Sequence, residues 1–141
     1  MRSSSGASGQ ALIETAITLP LLFTFMLGFL ALLIRIEAQV EIDTATSLAA
    51  ASCVLARVGS PDCHTFAQDT YRGTLQHYSY LEIDGGGNGL NCPNTYQAGQ
   101  TVVCNARATL RYDQTPMAYV VLINLPIVSQ ATTVGSAFRT T

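Results

Sequence analysis

The chain has 141 residues, a formal net charge of −2 and 11% charged residues, well below the roughly 25% of typical soluble domains. Its seven positive charges are arginines spread singly from Arg2 to Arg139, so it lacks the basic patch of a nucleic-acid-binding protein. The length allows one small domain besides a strongly apolar stretch near the N-terminus.

The apolar stretch, residues 11–34, reads ALIETAITLPLLFTFMLGFLALLI, and Glu14 is its only ionisable residue. It is long enough to cross a bilayer, which takes about 20 mostly apolar residues. A charge at the middle of such a span costs roughly 2.5–3.5 kcal/mol, so charged residues there are rare and usually functional. A Ser/Gly-rich leader, residues 1–9, precedes this stretch and is expected to be disordered because it has nothing to bury.

The apolar segment is predicted to be a retained anchor. A secretory signal has an apolar core of about 7–15 residues and then a small-residue cleavage site. Here the core is longer and IRIEAQVEID follows it, without such a site. Pro20 is expected to kink the helix because it removes a backbone donor and crowds the preceding turn. Gly28 offers a point of close approach for another helix.

The helix is predicted to begin near Gln10 and to continue well past the membrane, for nearly 50 residues in all. The stretch from Ile36 to Arg57 is rich in alanine and contains no glycine or proline. The larger apolar residues recur at helical spacing with Thr44 as a polar gap, which predicts a buried stripe that packs against a small domain. This stripe consists of Ile36, Val40, Leu48, Ala51 and Leu55.

Downstream, Ser60 and Pro61 predict the start of a second helix that runs to about His77 or Tyr80. Its predicted buried residues are Phe66, Tyr71 and Leu75. Strands are then expected over residues 79–83, 101–112 and 127–134. Residues 119–124 are also β-rich, and Pro126 is expected to separate them from the last strand. The DGGGNG stretch, residues 84–89, reads as a flexible turn. Together these elements predict an α+β fold in which the long helix and a second helix accompany a small antiparallel sheet.

All four cysteines follow the apolar segment, which favours an oxidising compartment and two disulfides over free thiols or a zinc site. Pairing within Cys53–Cys63 and Cys92–Cys104 is weakly preferred, and crossed or nested pairing remains open. The cysteines also orient the chain, with the N-terminus in the cytoplasm and everything after about residue 35 outside.

No catalytic, metal or cofactor site is predicted. Asp84 and Asn88 offer too few oxygen ligands for a firm calcium site, and an unliganded turn is favoured there. His64 and His77 do not stand at a recognised spacing from a serine or carboxylate. The protein is therefore expected not to be an enzyme.

Glu14 has two interpretations. It could reach the membrane surface by snorkelling, with no special role. Alternatively, a cut after Gly9 would leave an ammonium on Gln10, one helical turn before Glu14. Two opposite charges that enter an apolar environment as a pair cost far less than either alone, so their pairing would set the register between neighbouring helices. Glycine before the cut would suit a peptidase cleft that needs close backbone approach.

The sequence Gly9 followed by QALIE resembles a type IV prepilin processing site. The longer run GQALIETAITLPLLFTFMLGFLALLIRIEAQVEIDTATSLAAASCV, with its Leu19–Pro20 step, is similar to the N-terminal part of TadE-like pseudopilins of tight-adherence (Flp) pilus systems. Thr15 stands where an aromatic residue is common in those groups. The C-terminal segment ARATLRYDQTPMAYVVLINLPIVSQATTVG is loosely similar to the strand-turn-strand end of the family.

This resemblance implies a prepilin leader over residues 1–9, a transmembrane assembly helix over 10–35 and a pilin-like extracytoplasmic domain over 36–141. It implies a minor pilin or pseudopilin in the bacterial inner membrane or in the filament. The implied partners are other pilin subunits, a prepilin peptidase, and an assembly platform with its ATPase. The alternative is a single-pass receptor or binding protein that keeps its leader.

Overall fold

The computed structural model describes the backbone of most of the chain and the side chains from Leu12 onwards. The described residues are 5–56, 62–83, 89–97, 99–121 and 123–134. They fall into two compact units, Met1–Ile34 and Arg35–Thr141. The predicted α+β fold is confirmed, with a long N-terminal helix, a second helix and a four-stranded antiparallel sheet.

Helix α1 spans Ser5–Leu55, 51 residues without interruption. The single long helix is therefore as predicted, but it begins earlier than Gln10, and the expected disorder of the leader is wrong from Ser5 onwards. Adding residues to an existing helix costs little compared with nucleating one, so the apolar run can carry the helix into the leader. Residues 1–4 lie outside the described part of the chain.

The prediction of which face of α1 is buried in the second unit is wrong. Val40, Leu48 and Leu55, three members of the predicted stripe, are 55%, 47% and 67% exposed. The buried face carries mainly alanines instead, together with Ile42 and the hydroxyl-bearing Thr46, whose Oγ1 donates to the Ile42 carbonyl at 2.6 Å. Small side chains occupy the buried face because burial depends on how well a side chain fits the neighbouring elements and not on its size. The fully buried alanines are Ala38, Ala45 and Ala49.

Helix α2 spans Asp62–Leu75 and buries Tyr71 and Leu75 as predicted. Phe66, predicted to be buried, is 54% exposed instead, because the inward face of α2 runs through Cys63 and Ala67. The predicted starting residues, Ser60 and Pro61, lie outside the described part of the chain.

The sheet is built around β3, which spans Thr101–Leu110. On one edge it pairs with β4, Leu125–Val134, along its whole length. On the other edge it pairs with β1, Leu81–Ile83, and β2, Leu90–Asn91. All pairings are antiparallel. Every second residue of β3, from Val102 to Leu110, is buried, as expected for a sheet with one covered face.

Strands β1 and β2 continue one another along the edge of β3. Ile83 pairs with Ala108 and Leu90 with Ala106, while the Arg107 N–H between them donates to the Gly89 carbonyl at 2.7 Å. Strand β2 was not predicted, since two residues show no alternation. The predicted turn residues 84–88 lie outside the described part of the chain.

The β-rich segment over 119–124 is not a strand in its described residues, and part of it forms hydrogen-bonded turns instead. The prediction that Pro126 interrupts the chain before the last strand is wrong, because Pro126 lies inside β4 and pairs with Thr109. Among the described strands β4 pairs only with β3, so a residue without an N–H can be accommodated at its open edge.

Candidate functional site: the apolar helix and the outward face of the domain

The first unit consists of an apolar helix with little of its side-chain surface covered. From Leu12 to Ile34 nearly every described side chain is exposed, including Phe25 at 72%. The described residues contain one helix long and apolar enough to cross a membrane. In water such a surface would be unfavourable by about 25 cal/mol per Å² of apolar area, so it calls for lipid or for neighbouring helices.

Glu14 lies in the first part of this apolar surface and is exposed. The Thr18 hydroxyl, one turn later, donates to the Glu14 backbone carbonyl at 2.8 Å. Gly9 and Gln10 both lie within α1. Gln10 and Glu14 are therefore separated by one helical turn, the spacing at which side groups are neighbours on a helix surface.

The middle of the apolar helix contains the two residues predicted to shape it. Helix α1 continues through Pro20, and the Thr24 hydroxyl donates to the Pro20 carbonyl one turn back. A Cβ placed on Gly28 would meet nothing within 4 Å, and Phe25 and Phe29 flank a shallow apolar notch at this glycine. The helix surface at Gly28 is thus open to a close neighbour, and the kink at Pro20 stays a prediction.

The two disulfides lie in the second unit. Cys53 pairs with Cys63, which joins the end of α1 to the start of α2, and Cys92 pairs with Cys104, which joins the chain after β2 to β3. The predicted disulfides are present, with the local pairing. They indicate that this unit matures in an oxidising compartment.

The C-terminus of α1 is capped by Tyr96, to which the sequence analysis assigned no role. Its hydroxyl lies 2.7 Å from the Val54 carbonyl oxygen and 2.8 Å from that of Ala56. The last carbonyls of a helix have no partner within the helix, so this side chain acts as a cap. No sequence pattern could identify it, because 40 or more residues separate it from its acceptors.

The other end of the second unit holds an acidic and aromatic cluster that the sequence also did not reveal. The Tyr78 hydroxyl hydrogen bonds to the Glu41 carboxylate, which raises the pKa of Tyr78. The rings of Tyr78 and Tyr80 meet edge to face with centroids 5.8 Å apart. Burial, followed by the charges of Glu37 and Glu41, raises the pKa of Tyr80 to about 12.

Arg111, whose N–H donates to the Tyr80 carbonyl, forms ion pairs with two nearby carboxylates. Its guanidinium pairs with Asp113 at 2.8 Å and with Glu82 at 3.3 Å. The hydrogen bond from Arg111 lowers the pKa of Asp113. The side chains of both pairs are partly exposed, so solvent screens the charges and the pairs add little to stability.

The described residues contain no group of three or more histidine, cysteine or acidic side chains that could hold a metal ion. The His64 Nδ1 is buried without a hydrogen-bond partner among the described residues. The weak calcium candidates Asp84 and Asn88 lie outside the described residues.

Comparison with protein-family models, with curated proteins and with solved structures found no match.

Proposed function

We propose that this protein is a minor pilin or pseudopilin that a prepilin peptidase cuts after Gly9, and that it is assembled into a type IV tight-adherence pilus or primes one. The observation that carries the proposal is the placement of Glu14. It is the only ionisable residue of an exposed apolar helix and the fifth residue after Gly9.

The charge on Glu14 needs a partner in an apolar environment. Cleavage after Gly9 would supply an ammonium on Gln10, either in the same chain or in an adjacent subunit. Adjacent helices would then dock favourably only in the register that brings carboxylate and ammonium together. The open surface at Gly28 supports close packing of such helices.

The remaining features support the assignment of each part of the chain. Residues 10–35 would anchor the protein in the bacterial inner membrane, with the N-terminus in the cytoplasm. The disulfide-bonded domain would lie in the periplasm and, after assembly, form the outer contacts of the filament. Other pilin subunits, the assembly platform and its ATPase are the partners that the family resemblance implies.

A single-pass receptor or binding protein that keeps its leader is the rival function. One observation favours it, since the peptide bond between Gly9 and Gln10 lies inside α1. Peptidases bind their substrates in extended form, so cutting there requires the first turns of α1 to unwind. A receptor needs no such step.

Mass spectrometry of the N-terminal peptide from membranes of the native host separates the two functions. A chain that begins at Gln10 with a free amine supports the pilin proposal. A chain that keeps Met1–Gly9 supports the receptor. A Gln10 that has cyclised with loss of ammonia would retain the cleavage but remove the ammonium, and so would contradict the charge pairing.

A further inference from the structure

The loop that joins β2 to β3 forms one side of a cavity of about 300 Å³ in the second unit. A volume of this size lies at the lower end of those that hold small-molecule ligands. Besides Tyr96, five of the lining residues carry an amide or a hydroxyl, and none of the described lining residues is charged. We refer to this cavity as the amide pocket. Its five polar residues are Asn91, Thr95, Gln100, Thr101 and Asn105.

Strand pairing places the amides of the pocket side by side on the outer face of the sheet. Asn105 stands between the buried residues Cys104 and Ala106 in β3, so its side chain lies on the opposite, exposed face. Asn91 pairs with Asn105 on one side, and Gln130 of β4 pairs with Asn105 on the other. Directly opposed residues have Cβ atoms about 5 Å apart. Three amides therefore form a row across the sheet, and two of them line the pocket.

The loop wall of the pocket is held in place by several bonds. The disulfide between Cys92 and Cys104 ties the start of the loop to β3. Farther along, the Tyr96 hydroxyl is anchored to the last carbonyls of α1. The Gln100 N–H donates to the Gln97 carbonyl at 3.0 Å, and the Gln97 N–H donates to the Gln100 Oε1 at 3.1 Å. A wall fixed in this way does not have to be ordered by a ligand, which lowers the free-energy cost of binding.

The polar lining determines which chemistry the pocket can recognise. A side-chain amide both donates and accepts hydrogen bonds, and so does a hydroxyl group. A ligand that carries neighbouring hydroxyls therefore matches two amides that stand on adjacent strands. Sugars also have an apolar C–H face, for which Pro93 and Val103 offer aliphatic contact in the same cavity.

Other ligand classes fit the pocket less well. An anion calls for a basic side chain and a metal cation for carboxylates, and the described lining contains neither. An extended peptide also carries donors and acceptors, but it would bond more completely to the backbone at the edge of β4 that no other described strand covers. The lining thus favours an uncharged ligand with several hydroxyls.

We propose that the amide pocket binds a neutral sugar. Asn91 and Asn105 hydrogen bond to adjacent hydroxyls of the ring, and Pro93 and Val103 pack against its C–H face. The ligand is a single sugar or the terminal unit of a glycan, since both present the same groups. The pocket lies wholly in the second unit and depends neither on processing of the leader nor on the charge in the apolar helix.

Saturation-transfer difference NMR of the full chain tests the proposal with the methyl glycosides of glucose, galactose, mannose and N-acetylglucosamine. The protein is held in micelles of a detergent without a sugar headgroup, so that the detergent does not compete for the pocket. At least one glycoside is expected to give a saturable signal, and glucose 6-phosphate, the charged reference, is expected to bind more weakly than that glycoside. An oligosaccharide that binds more tightly than the glycoside of the same sugar identifies a glycan chain as the ligand, and equal affinity identifies a single ring.

Variants show whether the sugar lies in the pocket. Asn105→Ala is expected to weaken binding about tenfold, because it removes hydrogen bonds to the ligand. Asn94→Ala is the matched control, because Asn94 is an exposed asparagine of the same loop that does not line the pocket. If thermal unfolding shows that Asn105→Ala destabilises the second unit, Asn91→Ala takes its place with the same expected loss.

The proposal would be overturned if none of the four glycosides bound, or if glucose 6-phosphate bound as tightly as the best of them. Equal weakening by the pocket variant and by Asn94→Ala, or no weakening by either, would also overturn it, because the sugar would then bind elsewhere. None of these results bears on where the leader is cut, so the proposed function stands or falls separately.

Discussion

Replacing Ala49 with leucine tests which face of α1 packs against the rest of the second unit. The Ala49 side chain is fully buried, so three added carbon atoms would have no free space. Overpacking of this kind costs about 1–3 kcal/mol. For a domain of roughly 100 residues this corresponds to a fall in melting temperature of roughly 5–15 °C.

Ala51→Leu is the matched control, because Ala51 is exposed on the same helix and the substitution is identical. Alanine and leucine have similar helix propensities, so Ala51→Leu should change stability by no more than about 0.5 kcal/mol. The assay is thermal unfolding of the full chain in detergent micelles, followed by near-ultraviolet circular dichroism. All six tyrosines lie in the second unit, so the tyrosine bands of this signal report on that unit and not on the apolar helix.

The face assignment would be refuted if Ala51→Leu lowered the melting temperature as much as Ala49→Leu does. It would also be refuted if Ala49→Leu left the melting temperature unchanged. Either result would mean that Ala49 does not lie on the face of α1 that packs against the rest of the second unit.

Further predictions concern the helix cap, the tyrosine cluster, the disulfides and the assembly helix. Tyr96→Phe should lower the free energy of unfolding by about 1–3 kcal/mol in urea titration, because it removes the hydroxyl proton that the Val54 and Ala56 carbonyls share. The raised pKa of Tyr80 means that its stabilising effect is complete below pH 10 and is lost as the pH rises from 10 to about 12, so Tyr80→Phe should flatten the fall in stability over that range. Joint replacement of Cys92 and Cys104 by alanine should cost about 3 kcal/mol, measurable by the same titration, whereas an unchanged midpoint would contradict a structural role. Glu14→Gln should insert into membranes normally but assemble poorly into pili, and piliation like that of the wild type would contradict the register role of the charge.

The sequence predicted those elements of the fold that depend on patterns among residues close together in the chain. The long helix follows from an unbroken stretch without glycine or proline after Gly28, and the long strands β3 and β4 follow from alternation and from β-branched residues. The helix face was predicted wrongly because the sequence shows the size of each side chain but not the shape of the surface it meets. Ile36 and Val40 are larger than Ala38 and Ala45, yet the alanines are the residues that are buried.

The same distinction between local patterns and distant contacts holds for the candidate functional residues. Gly9, Glu14 and the cysteines are recognisable because spacing and context distinguish them. The Tyr96 cap and the bond between Tyr78 and Glu41 depend on contacts between distant parts of the chain, and no single-sequence pattern encodes such contacts. For residues 119–124 the local pattern was misleading. Their β-forming side chains suggested a strand, but β-forming residues without a pairing partner adopt turns.

The interrupted edge of the sheet has a practical consequence. Strands β1 and β2 are each held to β3 by their own hydrogen bonds, so the pairing does not fix how many residues separate Ile83 from Gly89. Doubling the length of such a connection costs only about 0.6 kcal/mol in closure entropy. An epitope tag or a small reporter peptide inserted there would leave both strand pairings in place, which makes this position suitable for following the subunit in living cells.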